Sequence, residues 1–129
     1  MAFSTIATPE AKPVMNYKMG TRMEGGRLLY VSGQVAYDSN GQLVGEGDMK
    51  EQTRQAFRNI RTVLEKAGSG IKDIVKINTY ITDGSRFMDM IAARTEIFGD
   101  NPPASTAVVV AALAFPGLLV EVEAIAIKR

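Results

Sequence analysis

Residues 101–110 read NPPASTAVVV, and how this stretch is read decides the fold. Two prolines bar a helix and hold the chain extended, since each fixes φ and pushes the residue before it out of the α region. Small residues then give way to a valine run, so Ala104 to Leu113 reads as a strand entering a core. Ser105 and Thr106 stand at its mouth. They form either a polar turn that starts a sheet edge or part of the floor of a substrate pocket.

Working back from the prolines, Phe87, Met90, Ile91, Ile97 and Phe98 fall on one helical stripe, with Ser85 or Asp83 as cap and Gly99 as stop. Before it, Ile71 to Thr82 alternates as a strand, with Val75, Ile77, Thr79 and Ile81 assigned to one face. An earlier helix is capped by Asp48, with Glu51 placed to complete a capping box, and Gly68 ends it. Its stripe is Met49, Ala56, Phe57, Ile60, Val63, Leu64 and Ala67, while Arg54, Arg58 and Arg61 lie off it and face solvent or a partner. Tyr17 to Met23 and Arg27 to Ala36 read as strands joined at Glu24-Gly25-Gly26. Asn40-Gly41 marks a further hairpin turn, with Gln42 to Val44 as a brief return strand. Leu118 to Lys128, after the turn at Pro116-Gly117, is the last strand.

Strands, helix, strand, helix, strands predict one α+β domain spanning residues 1–129, with five or six strands and both helices on one face. Ala107, Val109 and Ala111 alternate with Val108, Val110 and Ala112, so the last strands read as apolar on both sides. The uncovered face then calls for a partner, most simply in a closed homo-oligomer.

Composition excludes much chemistry. The chain has 129 residues, 46% of them apolar, and a net charge of +1. No basic stripe marks a nucleic-acid surface. The longest apolar run, Ala107 to Phe115, is about half the length a membrane helix needs. The first residues lack the pattern of a secretory signal, so the expected location is the cytoplasm. There is no Cys and no His, which excludes disulfides, thiolate nucleophiles and a Ser-His-Asp triad, and removes the commonest metal ligand. A catalytic site must use carboxylates, hydroxyls, Lys or Arg, backbone groups and water. No metal constellation is expected.

Glu121 and Glu123 stand two apart in LLVEVEAIAI and share a strand face. Either they pair with an arginine of a neighbouring strand or subunit, or one is a general base that positions a water. Ser32-Gly33-Gln34 interrupts its strand, where glycine marks a bulge or a close approach of backbone to a ligand.

VSGQV at 31–35, EQTRQAFRNIRTVLEKAG at 51–68, IVKINTYITD at 74–83, PPAST at 102–106 and LVEVEAIA at 119–126 together resemble the RidA (YjgF-type) family of reactive intermediate deaminases, nearly end to end. The resemblance implies a chorismate-mutase-like α+β fold and a homotrimer with small-molecule clefts between subunits. It implies no cofactor, no nucleic acid and no membrane. Deaminating members hydrolyse enamines or imines to 2-oxo acids and ammonia. Tyr17, Ser32, Gly33 and Glu121 match the family's cleft residues, with Glu121 as the water-positioning carboxylate.

Two positions depart from that pattern. Ser105 occupies the place of an arginine that forks onto the substrate carboxylate, and Ile91 that of an asparagine. Loss of such a bidentate contact lowers binding by at least about a hundredfold. Ser105 and Thr106 therefore line a pocket altered for another ligand, and Arg94, one turn beyond Ile91, is a candidate substitute cation. The expected activity is hydrolytic deamination of a substrate other than 2-aminoacrylate. A non-catalytic trimeric metabolite-binding module is the alternative, and the endoribonuclease activity of the family's older name ranks last.

Overall fold

The computed structural model describes residues 3–14 and 17–129. In chain order the elements are β1 (Phe3–Ile6), β2 (Gly20–Met23), β3 (Arg27–Gln34), α1 (Met49–Lys66), β4 (Ile74–Ile81), α2 (Phe87–Phe98), β5 (Ala104–Val109) and β6 (Val120–Lys128). Among the described residues the strands range from 4 to 9 residues, and their pairing is mixed. β3, β6, β4 and β5 form one sheet in that order, with β4 and β5 parallel and the other pairs antiparallel. A parallel pair needs a crossover, and α2 supplies it.

Residues 71–73, expected as strand, form a 3₁₀ turn instead. Residues 42–44 make only a single bridge, between Tyr37 and Leu43.

Helix α1 forms where the sequence placed it. Asp48 accepts from the Glu51 N–H at 3.1 Å. At the other end Gly68, at φ +81°, donates to the Glu65 carbonyl while Ser69 donates to Leu64, the paired bonds that close a helix through a left-handed residue. The capping box is only half made. The Glu51 carboxylate turns to Arg54 and Arg58, and the Asp48 N–H donates to Gly45. Arg54 also reaches Glu96 on α2 at 2.9 Å, tying the two helices together.

The buried stripe differs from expectation: Thr53 joins it, and Ala67 is only half-buried. Val63 is 44% exposed, while Gln52 is fully buried. Gln52 donates to the Gly45 and Gly117 carbonyls and accepts from the Leu119 N–H, so one amide fastens both loops to the helix.

Both helices cover one face of the sheet, over Ile77, Ile81, Val120, Val122 and Ala124. A register shift between Ile74 and Lys76 removes Val75 from the face of Ile77, Thr79 and Ile81. Val75 joins Phe3 and Ile127 in a second, smaller apolar cluster. This cluster seats the β1–β2 hairpin over the end of the sheet where β4 begins and β6 ends. Thr21 Oγ1 donates to the Val75 carbonyl at 2.8 Å, and the Lys18 N–H donates to Pro103.

The uncovered face is not the apolar surface that the sequence suggested. Its centre carries Lys76, Asn78, Tyr80, Thr106, Glu121 and Glu123, and apolar side chains such as Tyr30 and Val108 lie toward its edges.

Candidate functional site

Glu121 lies on β6 opposite Tyr80 of β4, on the uncovered face, because its neighbours Val120 and Val122 point into the core. On its other side the β3–β6 register shifts between Val31 and Gln34, and Ser32 and Gly33 form the bulge. The Glu121 carboxylate rests directly on that bulge. A Cβ at position 33 would fall 1.9 Å from Glu121 Oε2 and 2.8 Å from Cδ. Gly33 sits in the bulge that a glycine inside a strand suggested, and its lack of a side chain leaves the Glu121 carboxylate its place. Ser32 and Gly33 are exposed and Glu121 is half-buried, so the carboxylate has solvent on one side and backbone on the other. Gln34 donates to the Ser32 carbonyl at 3.1 Å and steadies the bulge.

Ser105 faces the opposite way. It pairs with Ile77 and points toward the helices, where Arg94 Nη1 donates to its Oγ at 3.0 Å. Arg94 is 3% exposed, and burial lowers its pKa from the ordinary arginine value. It remains a cation at neutral pH. Arg94, offered in the sequence as a substitute for the cation missing at position 105, is thus in contact with Ser105. Ile91, one turn earlier on α2, is buried in the core.

Thr106 returns to the uncovered face, where Lys76 Nζ donates to its Oγ1 at 2.9 Å. Both hydroxyls at the mouth of β5 therefore accept from a cation. Tyr17 lies apart from Glu121. Its hydroxyl accepts from the Val14 N–H at 3.3 Å, beside a cavity lined by residues such as Ile6, Pro9 and Pro13. A single chain therefore unites Ser32, Gly33 and Glu121, separately unites Arg94 and Ser105, and leaves Tyr17 in a third place.

Among the described residues neither Glu121 nor Glu123 pairs with an arginine. Glu123 Oε1 accepts from Tyr80 Oη at 2.5 Å and from Asn78 Nδ2 at 3.2 Å. These are polar residues that the sequence reading passed over. The signal was present, because Lys76, Asn78 and Tyr80 alternate with the buried Ile77, Thr79 and Ile81.

The Tyr80 hydroxyl, and after it the Asn78 amide, hold the Glu123 carboxyl below the ordinary carboxylate range against a smaller opposing effect of burial. That stabilisation is present above the unfolded glutamate pKa of about 4.3 and is lost as pH falls through the lower folded value. The same bond raises the Tyr80 phenol, whose contribution is present below about pH 10 and lost as pH rises through the higher folded value. Tyr80→Phe is expected to flatten the acid limb of the stability curve. Urea midpoints at about pH 3 and about pH 6 check it. An unchanged acid limb would assign that limb to other carboxylates.

The sequence pattern of the family described as endoribonuclease L-PSP matches residues 8–128. A RutC family protein of Pyrococcus abyssi is 37% identical over 130 residues, covering 100% of both chains. Protein HMF1 of Saccharomyces cerevisiae is 32% identical over 128 residues, covering 97% of this chain and 98% of that one. Among solved structures, YyfB of Yersinia pestis, described as a conserved Rid family protein of unknown function, superposes with a TM-score of 0.90. It is 32% identical and covers 99% of this chain and 100% of its own. RidA from an Antarctic Psychrobacter is 34% identical and covers 97% of this chain and 99% of its own, with a TM-score of 0.73.

Proposed function

The chain belongs to the endoribonuclease L-PSP family, the YjgF/RidA group, and from that premise we propose that it is a hydrolytic enamine or imine deaminase acting on a substrate other than 2-aminoacrylate. The observation that carries this reading is the Glu121 carboxylate seated on the Gly33 backbone at the bulge. A carboxylate held there, open to solvent, takes a proton from water as the water oxygen bonds to the imine carbon, and the C=N pair moves to nitrogen. The Glu121 carboxyl passes that proton to the nitrogen, giving the carbinolamine, which re-forms a carbonyl as its hydroxyl proton moves to the nitrogen and the C–N bond breaks. One water is consumed and one ammonia leaves, so neither cofactor nor metal is needed.

Substrate choice follows from position 105. Ser105 offers one hydroxyl, and Arg94 holds that hydroxyl from beneath, facing the core, where it does not present a fork to an incoming carboxylate. The substrate class is therefore imines without an adjacent carboxylate. The protein works as a homotrimer, because Tyr17 and Glu121 lie apart within one chain and a cleft between copies can bring such groups together. A second reading, a non-catalytic metabolite-binding module, is favoured by the same loss of the arginine fork. RNA cleavage fits least, with a net charge of +1 to meet a phosphate backbone.

The test compares two imines made in situ: 2-iminobutanoate from a threonine dehydratase, and the imine of a simple primary amine from a flavin amine oxidase. Wild type is expected to accelerate carbonyl formation from the second and to leave the first nearly at its spontaneous rate, while Glu121→Gln accelerates neither. Fast hydrolysis of 2-iminobutanoate would overturn the reading of Ser105. No acceleration of either imine by a folded wild type would favour the binding module.

A further inference from the structure

At the end of the sheet where β4 begins, on the helix side, a groove of about 470 Å³ lies between the β1–β2 hairpin and the last turn of α2. It follows the seam of the two apolar clusters. Ile71, Ile97 and Phe98 pack against the main core, and Phe3 belongs to the smaller cluster under the hairpin. Pro102, itself buried, completes the apolar lining. The Phe98 ring meets Phe57 edge to face at 5.5 Å and is only half-buried, so one side of it rests on the core and the rest is left to the groove. Copies that pack through the uncovered face of the sheet leave this groove open, because α2 and the 3₁₀ turn wall it on the opposite side.

Three polar side chains stand at its rim: Thr5 of β1, Lys72 of the 3₁₀ turn and Asn101 just past α2, all exposed. Among the described residues no carboxylate lines the groove, and that of Asp73, next to Lys72, is engaged by Arg129 at 3.1 Å. A lysine ammonium has three donors, an asparagine amide two and a threonine hydroxyl one. The rim thus offers a positive charge and neutral donors beside an apolar lining. A cationic molecule would meet Lys72 as a like charge, whereas a carboxylate meets it through a charge-assisted bond. An aromatic body gains from ring contacts with Phe3 and Phe98 beyond the area it buries.

We propose that this groove binds a small aromatic carboxylate, with its ring between Phe3 and Phe98 and its carboxylate on Lys72 and Asn101. The volume lies within the range of small-molecule sites. The site shares no residue with the bulge or with the Arg94–Ser105 pair, and it does not rest on the hydrolase reading. Because Phe3 and Phe98 come from separate parts of the fold, an occupant also ties the hairpin to α2.

The chain has no Trp, so an indole probe can be followed in the intact protein by the anisotropy of its own fluorescence. Three probes share one shape: indole-3-acetate, the neutral alcohol tryptophol and the cation tryptamine. Indole-3-acetate is expected to bind at least about fivefold more tightly than tryptophol, with tryptamine weakest. Lys72→Met is expected to erase the preference for the acid over the alcohol, and Lys72→Glu to place tryptamine first. Lys72 is exposed, so both variants should fold as wild type does. In wild type, saturating indole-3-acetate is expected to slow amide exchange in Phe3–Ile6. Glu121→Gln, which removes the proposed base, is expected to bind the probes as wild type does, so failure of the hydrolase reading leaves this result intact. No rise in anisotropy with any probe, an acid preference that survives Lys72→Met, or unchanged exchange in β1 overturns the proposal.

Discussion

Gly33→Ala is expected to lower the hydrolysis rate by about a hundredfold or more while leaving the protein folded. The added Cβ would lie 1.9 Å from Glu121 Oε2, so the methyl and the carboxylate cannot occupy their places together. What yields is the end of a flexible glutamate side chain, whose carboxylate can swing into solvent without backbone movement. Gly33 is exposed and its φ is not positive, so alanine suits the backbone and stability should change by no more than about 1 kcal/mol. The separation of the two effects is the test. Thermal melts should nearly superimpose, while the turnover of the accepted imine should fall toward that of Glu121→Gln. A Gly33→Ala protein with wild-type turnover would remove the seated carboxylate from the mechanism, since displacing it would have had no consequence.

Ser105→Arg alone is expected to destabilise the protein by on the order of 3 kcal/mol, a fall of about 10 °C in Tm, and not simply to restore a missing anchor. Ser105 Oγ is 3.0 Å from Arg94 Nη1, and Arg94 is 3% exposed. A second guanidinium entering that space meets a like charge where water screens it poorly, and it removes the hydroxyl that Arg94 now uses. The companion change Arg94→Met takes away the buried charge at similar volume. Ser105→Arg with Arg94→Met should therefore recover most of the stability, as thermal melts of the four proteins would show. The four proteins form a double-mutant cycle in which positive coupling is expected. Additive losses would show that position 105 and Arg94 do not share one space.

The structure accounts for why the local signals at these positions did not show which side chains touch. Glu121 and Gly33 were each chosen for a local reason, one a carboxylate in an apolar strand, the other a glycine interrupting a strand. Their contact depends on β6 lying beside β3, although Gly33 and Glu121 are 88 positions apart in the chain (121 − 33). Arg94 was named only as a substitute cation one turn beyond Ile91. Its burial depends on β5 passing over α2 with Ser105 turned downward, a matter of register in which one residue reverses the side-chain face. The same rule misled the reading of Val75, because a bulge shifts the register just before Lys76.

The sequence by itself determined what depends on neighbours along the chain. Asp48 and Gly68 bound α1, Gly99 ends α2, and the double proline holds the entry to β5 extended. The alternation of Ile77, Thr79 and Ile81 with Lys76, Asn78 and Tyr80 divides the faces of β4. The absence of Cys and His confines the chemistry to carboxylates, hydroxyls and water. Only the tertiary structure decided which strands are neighbours, that β4 separates β5 from β6, that the hairpin lies over one end of the sheet, and that the uncovered face is polar at its centre. Capping, turn and alternation energies act over a few residues and can be read from them. Strand order, bulge register and the meeting of distant side chains are set by how the whole chain buries its apolar faces at once, and no short stretch contains that information.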